Sequence, residues 1–254
     1  KEGVHVFEGH GSLVDAHTVK FKAAGTGEEK TLTGEYIVLS VGGWPSFPDE
    51  IPGAKEFGIS SNEVFYLPER PQRVLVVGGG YIAVEFAGIF RGLGSHVTQM
   101  YRGPLFLRGF DDDVRRFLLE EMKKKAIDVQ LETTPTKLER PNPNGPIFVH
   151  TNRGGAPLEF DAVLFATGRK PKLEGLGLDK VGVKIGDRGQ VVVDDWNRTN
   201  VPNIFAVGDC TDRVQLTPVA LKEGHFLADA LFTERKRHLD YGLIPSAVFS
   251  QPEI

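Results

Sequence analysis

Residues 78–83 read Gly-Gly-Gly-Tyr-Ile-Ala and fit the pattern G-x-G-x-x-(G/A). In that pattern the first glycine permits a tight turn and the second lets backbone approach a pyrophosphate. The small last residue lets a helix pack on the preceding strand. The N–H groups opening such a helix, at the positive end of its dipole, then face the phosphates. A glycine-rich turn with no ligand shares the same six letters, so the setting decides. Here an apolar run at 73–77 precedes the turn, and a helical pattern follows with Ala83, Phe86, Ala87 and Phe90 on one face. A second apolar stretch at 96–101 closes a βαβ unit of about 30 residues. Gly78, Gly79, Gly80, Tyr81, Ile82 and Ala83 are therefore expected to hold a dinucleotide.

The end of the second strand selects which one. An NAD site usually carries Asp or Glu about 20 residues beyond the glycines, to hold the ribose 2′-hydroxyl. Here the strand ends in Tyr101-Arg102-Gly103, Arg108 follows, and no carboxylate comes before Asp111. Two guanidinium groups suit a 2′-phosphate, which an acid would repel. Spacing alone also allows two solvated arginines. NADPH is expected over NADH.

Other positions leave two readings open. Glu85, five residues past Gly80, falls where the nicotinamide end would lie, though a helical Glu is commonly a surface residue. Tyr81 could cover an apolar ring or simply pack. Gly208-Asp209 at a strand end suits a ribose or ribityl hydroxyl, or a turn. Thr217-Pro218 opens a helix whose positive end could face an anionic ring, or be plain capping. Cys210 is the only cysteine, which excludes an internal disulfide and suggests a structural thiol in a reducing compartment. The seven histidines show no paired spacing, so no metal is expected.

The elements that position these residues follow from the same patterns. Short strands are expected at 4–7 and 18–21 with a turn at 25–27. A strand covered on both faces is expected at 36–41, and Pro45, Pro48 and Pro52 mark a linker. Beyond the βαβ unit, 111–125 reads as an amphipathic helix with acids first and lysines last. Residues 142–146 read as a turn, 161–166 as a buried strand, 190–193 and 203–207 as strands, and 217–232 as a helix. The net charge of −4 and pI near 6.0, with no basic block, argue against nucleic acid. No apolar run approaches the ~18–20 residues of a membrane helix, and no signal-peptide pattern opens the chain, so a cytoplasmic location is expected. Beginning at Lys1 and stopping at Ile254 with no closing element, the sequence reads as an internal piece of something longer.

Taken together these segments resemble the flavoprotein disulfide reductases. The resemblance rests on 77–88, on Tyr101-Arg102 with 107–111, on Ala166-Thr167-Gly168-Arg169, on 204–209, on Leu216-Thr217-Pro218-Val219-Ala220, and on 244–250. It is nearest to members that reduce glutathione disulfide. Members that reduce trypanothione come next, but the compact Gly92-Leu93-Gly94 turn lacks their insertion. A non-catalytic NADPH-binding module is the alternative of another class. The resemblance implies an α/β fold in which a Rossmann-like NADPH-binding domain is inserted in an FAD-binding domain. By it, 1–43 ends the FAD domain, 44–171 binds NADPH, 172–242 is a central domain completing the FAD site, and 243–254 begins a dimerisation domain. It implies contact of Gly78 to Ala83, Glu85, Arg102, Arg108 and Gly168 with NADPH, and of Gly42, Asp209, Leu216 and Thr217 with FAD. Its redox cysteine pair would precede Lys1, and its acid–base histidine would follow Ile254, in a homodimer. Departures include Ser40-Val41-Gly42 in place of Ala-Thr-Gly, Gln215 in place of an apolar residue, and His225 where an arginine meets glutathione.

Overall fold

The computed structural model describes residues 3–254. In chain order the strands begin with β1 (Gly9–Asp15), β2 (Thr18–Ala23), β3 (Glu29–Thr33), β4 (Ile37–Leu39) and β5 (Gly43–Pro45). Next come β6 (Arg73–Val77), β7 (His96–Tyr101), β8 (Asp128–Leu131), β9 (Pro135–Glu139) and β10 (Ile147–Thr151). Last are β11 (Leu158–Phe160), β12 (Ala162–Phe165), β13 (Arg169–Pro171) and β14 (Ile204–Ala206). The α-helices are α1 (Ala54–Phe57), α2 (Tyr81–Gly92), α3 (Asp112–Lys124) and α4 (Thr217–Phe232). The chain forms two compact units, and Pro45–Arg169 with Pro245–Ile254 makes one of them. The residues up to Trp44 with Lys170–Ile244 make the other, so the first is inserted in the sequence of the second.

The inserted unit is built on a four-stranded parallel sheet in the order β12-β6-β7-β8. The runs Val74-Leu75-Val76-Val77 and Ala162-Val163-Leu164-Phe165 are buried throughout, as strands covered on both faces must be. On one face Val74, Val76 and Val97 pack with Ala83, Phe86 and Phe90 of α2 and Leu118 and Met122 of α3. On the other, Leu75, Val77, Met100 and Phe165 meet α1 and the antiparallel sheet β11-β10-β9. Helix α3 starts at Asp111, whose Oδ1 accepts hydrogen bonds from the N–H groups of Asp113 (2.9 Å) and Val114 (3.4 Å).

The flanking unit holds the antiparallel ribbon β1-β2-β3, the parallel pair β14-β4 and α4. Three expectations need correction here. Residues 4–7 form no strand: Val4 and Val6 are exposed, Phe7 stacks edge-on against Phe21, and the partner of β2 is instead Gly9–Asp15. The cross-strand register with β2 overrides the poor strand propensity of Gly9-His10-Gly11-Ser12. The strand expected at 36–41 shortens to β4, and Tyr36 and Val38 are exposed, so it is not covered on both faces. Residues 190–193 make only an isolated bridge, Val191 to Ile185.

Candidate dinucleotide-binding site

The glycine turn sits between the end of β6 and the start of α2, and four hydrogen bonds hold it or its edge. The Gly78 N–H donates to the Met100 carbonyl (2.9 Å) and the Leu107 N–H donates to the Gly79 carbonyl (2.6 Å). The Gln99 side-chain Nε2 donates to the Gly78 carbonyl (3.0 Å), and the Ala166 N–H donates to the Val77 carbonyl (2.8 Å). Gly78 has φ +146°, a conformation closed to most side chains, and a Cβ there would overlap the Ala166 carbonyl. A Cβ on Gly79 would run into the Tyr101 ring. Gly80 differs: its φ is −87° and a Cβ would meet nothing within 4 Å. The turn is thus packed hard against protein on one side and open on the other, the cradle a pyrophosphate requires.

Helix α2 begins at Tyr81 with no side-chain cap at Gly80, and its first helical hydrogen bond runs from the Val84 N–H to the Gly80 carbonyl (3.2 Å). Tyr81 is 39% exposed, Ile82 half-buried and Ala83 fully buried against the sheet. Glu85 is half-buried, and its Oε1 accepts from the Phe249 N–H (3.0 Å), which ties the segment 245–254 to α2. Gly168 follows β12 and is exposed, its carbonyl accepting from the Ser46 N–H (3.0 Å).

The chain after β7 turns back over the glycines. Leu107, buried at φ +54°, anchors the loop 103–110 through its bond to Gly79. Arg115 of α3 secures the same loop, its Nε and Nη2 donating to the carbonyls of Phe106 (2.7 Å) and Leu105 (2.6 Å). Arg102 and Arg108 emerge exposed from the two ends of this pinned segment. Among the described residues neither forms an ion pair. Asp111, the first carboxylate past β7, is committed to capping α3.

The residues expected on the flavin side lie in the other unit. Gly42, at φ +68°, follows β4, and its carbonyl accepts from the Lys172 N–H (3.1 Å). Strand β14 leads through Val207 into a 3-10 turn at Gly208–Thr211 that carries Asp209. Leu216 and Thr217 stand at the uncapped start of α4, with Pro218 in its first turn. His225 lies exposed on α4. Cys210 is buried, its Sγ donating to the Val207 (3.2 Å) and Leu39 (3.4 Å) carbonyls, and burial pushes the thiol up to about 11. Among the described residues no cluster of metal-ligating side chains occurs, and no helix is long and apolar enough to cross a membrane.

Two buried polar residues beneath these turns were not foreseen. Glu223, 1% exposed, accepts from the Gly208 N–H (2.6 Å), the Tyr241 hydroxyl (2.5 Å) and Arg213 Nη2 (3.1 Å). Arg213 also donates to Asn197 and lies over the Tyr241 ring. Burial, then the bond to Glu223, holds the Tyr241 phenol well above its usual range. Gln99 is the second such residue. Each carries a signal in the sequence: Glu223 interrupts the apolar spacing Val219, Leu227, and Gln99 the inward series Val97, Tyr101.

Comparison with known proteins now bears on this geometry. A family described as pyridine nucleotide-disulphide oxidoreductase matches residues 1–224. The chain belongs to that family. It is 46% identical over 99% of its length to a chloroplastic/mitochondrial glutathione reductase of Pisum sativum, covering 44% of that protein. It is 43% identical over its whole length to a trypanothione reductase of Trypanosoma congolense, covering 52%. Among solved structures, the flavoprotein disulfide reductase RclA of Escherichia coli matches 98% of the chain with TM-score 0.89 at 29% identity, over 56% of that protein. The chain thus spans about half the length of the curated relatives it matches. The mixed α/β architecture with a Rossmann-like parallel sheet is that of the oxidoreductase family.

Proposed function

We propose that this chain supplies the NADPH-binding and part of the FAD-binding machinery of a disulfide reductase acting on glutathione disulfide. The observation that carries the nucleotide choice is the end of β7: it presents Arg102, and the first acid after it in the sequence, Asp111, is consumed as a helix cap. On this reading Gly78–Ala83 cradle the pyrophosphate, with Gly80 facing it, and Arg102 and Arg108 bind the 2′-phosphate. Tyr81 and Glu85 flank the nicotinamide, and Gly168 lies on the adenine side. Gly42, Asp209, Leu216 and Thr217 contact FAD, and His225 approaches the substrate. Residues 44–171 form the NADPH domain, 1–43 and 172–242 the FAD side, and 243–254 the start of a dimerisation domain in a cytoplasmic homodimer with no nucleic-acid or membrane partner.

When bound, NADPH supplies a hydride and FAD passes the electron pair toward a disulfide. The side chains present bind and orient; the dithiol of such a reaction is not among these residues, whose one cysteine is buried. Glutathione is favoured over trypanothione by the tight end of α2, where Gly94 N–H donates to the Arg91 carbonyl and Ser95 N–H to that of Phe90, leaving no insertion. Calorimetric titration of the purified protein tests the nucleotide reading. NADPH is expected to bind at least tenfold tighter than NADH, and Arg102→Glu to weaken NADPH about 10- to 100-fold while sparing NADH, since a charged hydrogen bond contributes about 1.5–3 kcal/mol. Equal affinities, or an Arg102→Glu protein that binds NADPH as before, would overturn it.

A further inference from the structure

Gln99 sits in the middle of β7 with no exposure to solvent. Its ladder neighbours are Val76 on β6 and Val129 on β8. By strand alternation it shares a face with Val97 and Tyr101, the face covered by α2 and α3. Every buried side chain of those helices is apolar: Ala83, Val84, Phe86, Ala87, Phe90, Leu118 and Met122. Of the side chains named on this face, only Tyr101 carries a titratable group. An amide in such a place is costly unless it has a task.

The Gly78 carbonyl can only accept, so the contact at 3.0 Å fixes which end of the amide faces it: Nε2 points to the turn. The Oε1 is consequently left buried with no hydrogen-bond partner. A side chain that leaves one polar atom unmatched in order to hold another is shaped by the bond it does make. That bond bears on one peptide, the Gly78–Gly79 unit. With the Gly78 carbonyl held, the peptide plane is fixed, and the trans geometry points the N–H of Gly79 the opposite way from that carbonyl.

We propose that Gln99 is a positioning residue for the dinucleotide site: it holds the Gly78–Gly79 peptide in the orientation that presents backbone N–H groups to a pyrophosphate. The proposal rests on the nucleotide reading above and adds to it a residue that never touches the ligand.

The test uses the different donor capacities of three side chains of similar size. Gln99→Met fills the space without donating. Gln99→Glu donates to the Gly78 carbonyl only while protonated, and burial raises the pH at which it ionises. NADP+ binding is titrated by calorimetry from pH 5.5 to 8.5. Each variant is divided by wild type at the same pH, which cancels titration of the nucleotide's own phosphate. Gln99→Met is expected to bind about three- to tenfold more weakly at every pH, the loss of one hydrogen bond. Gln99→Glu is expected near wild type at the acid end and at least tenfold weaker at the alkaline end. Thermal melts of each variant at the same pH values separate loss of the donor from a sheet loosened by a buried carboxylate, and Gln99→Met carries no charge at any pH. A flat ratio for Gln99→Glu, or wild-type affinity for Gln99→Met, overturns the proposal. If Gln99→Glu does not fold at neutral pH, Gln99→Met decides alone. Should the wild-type protein bind no NADP+, the nucleotide reading itself falls; should it bind while the variants match it, only the role of Gln99 does.

Discussion

Replacing Glu223 by alanine is expected to destabilise the flanking unit by about 3–4 kcal/mol, within the range for stranding one partner of a buried ion pair. The carboxylate is buried and takes three donors, from Gly208, Arg213 and Tyr241. Its removal leaves the Gly208 N–H and the Tyr241 hydroxyl without an acceptor and the Arg213 guanidinium without its counter-charge. Arg213 keeps some access to water, at 21% side-chain exposure, and keeps Asn197, which places the figure toward the lower end. Tyr241→Phe is a milder cut, because Gly208 and Arg213 still satisfy the carboxylate. One hydrogen bond to a charged acceptor is lost, about 1.5–2 kcal/mol.

The assay is selective by the accident of composition. Trp44 and Trp196 are the only tryptophans, and both belong to this unit. Urea denaturation followed by tryptophan fluorescence therefore reports on the unit that holds Glu223 rather than on the inserted one. With a slope of about 1.5–2 kcal/mol per M, Glu223→Ala lowers the midpoint by about 2 M and Tyr241→Phe by about 1 M. Unchanged midpoints for Glu223→Ala, or a larger shift for Tyr241→Phe than for Glu223→Ala, would refute the reasoning. Either result would mean that the carboxylate is not the hub joining the Gly208 turn to α4.

Neighbouring glycines in the other unit are expected to respond differently. Gly80→Ala, whose Cβ meets no protein atom, keeps stability within about 0.5 kcal/mol yet binds NADP+ at least tenfold more weakly; Gly79→Ala, which drives a methyl into the Tyr101 ring, loses about 1–3 kcal/mol as well. Thermal melts paired with nucleotide titration separate the two, and tight NADP+ binding by Gly80→Ala would count against the site. Asp161 provides a pH test. Partial burial opposes its ionisation, but the hydrogen bonds from the Arg73 side chain and backbone outweigh it and hold the carboxyl below its usual value. A depressed carboxyl stabilises the fold above its unfolded pKa and loses that contribution as pH falls through the folded one. The melting-temperature gap between wild type and Asp161→Asn is therefore expected to be constant above about pH 5 and to shrink below about pH 4; a gap that persists unchanged to pH 2 would contradict it.

How much was legible in the sequence follows the range of the forces. The elements β6, α2, β7, α3 and α4 stand where periodicity and capping place them, because a continuous apolar run or a 3.6-residue stripe carries its own burial partner pattern. The failures are strands whose existence depends on a distant partner. Val4-His5-Val6-Phe7 has better strand character than Gly9-His10-Gly11-Ser12, yet the latter lies in register with β2 and the former does not. Val191-Val192-Val193 has strand composition, but only Val191 finds a bridge, to Ile185, so no ladder propagates.

The site divides along the same line. Its glycines are recognisable because the turn, the strand before it and the helix after it are contiguous. The groups that hold it are not: Gln99 reaches Gly78 across 21 residues, and Leu107 bonds Gly79 across a loop in which a non-glycine residue takes a positive φ. The choice of nucleotide, finally, turns on a helix cap. Counting residues from Gly80 makes Asp111 merely late for a ribose hydroxyl, and a flexible loop could still deliver it. With loop 103–110 bonded to Gly79 at one point and to Arg115 at two, and with Asp111 Oδ1 shared between the N–H groups of Asp113 and Val114, delivery would cost the first turn of α3. An acid that must uncap a helix to reach the ribose is a poor competitor for two exposed arginines, which is the physical ground for proposing that this strand end meets a 2′-phosphate rather than a hydroxyl.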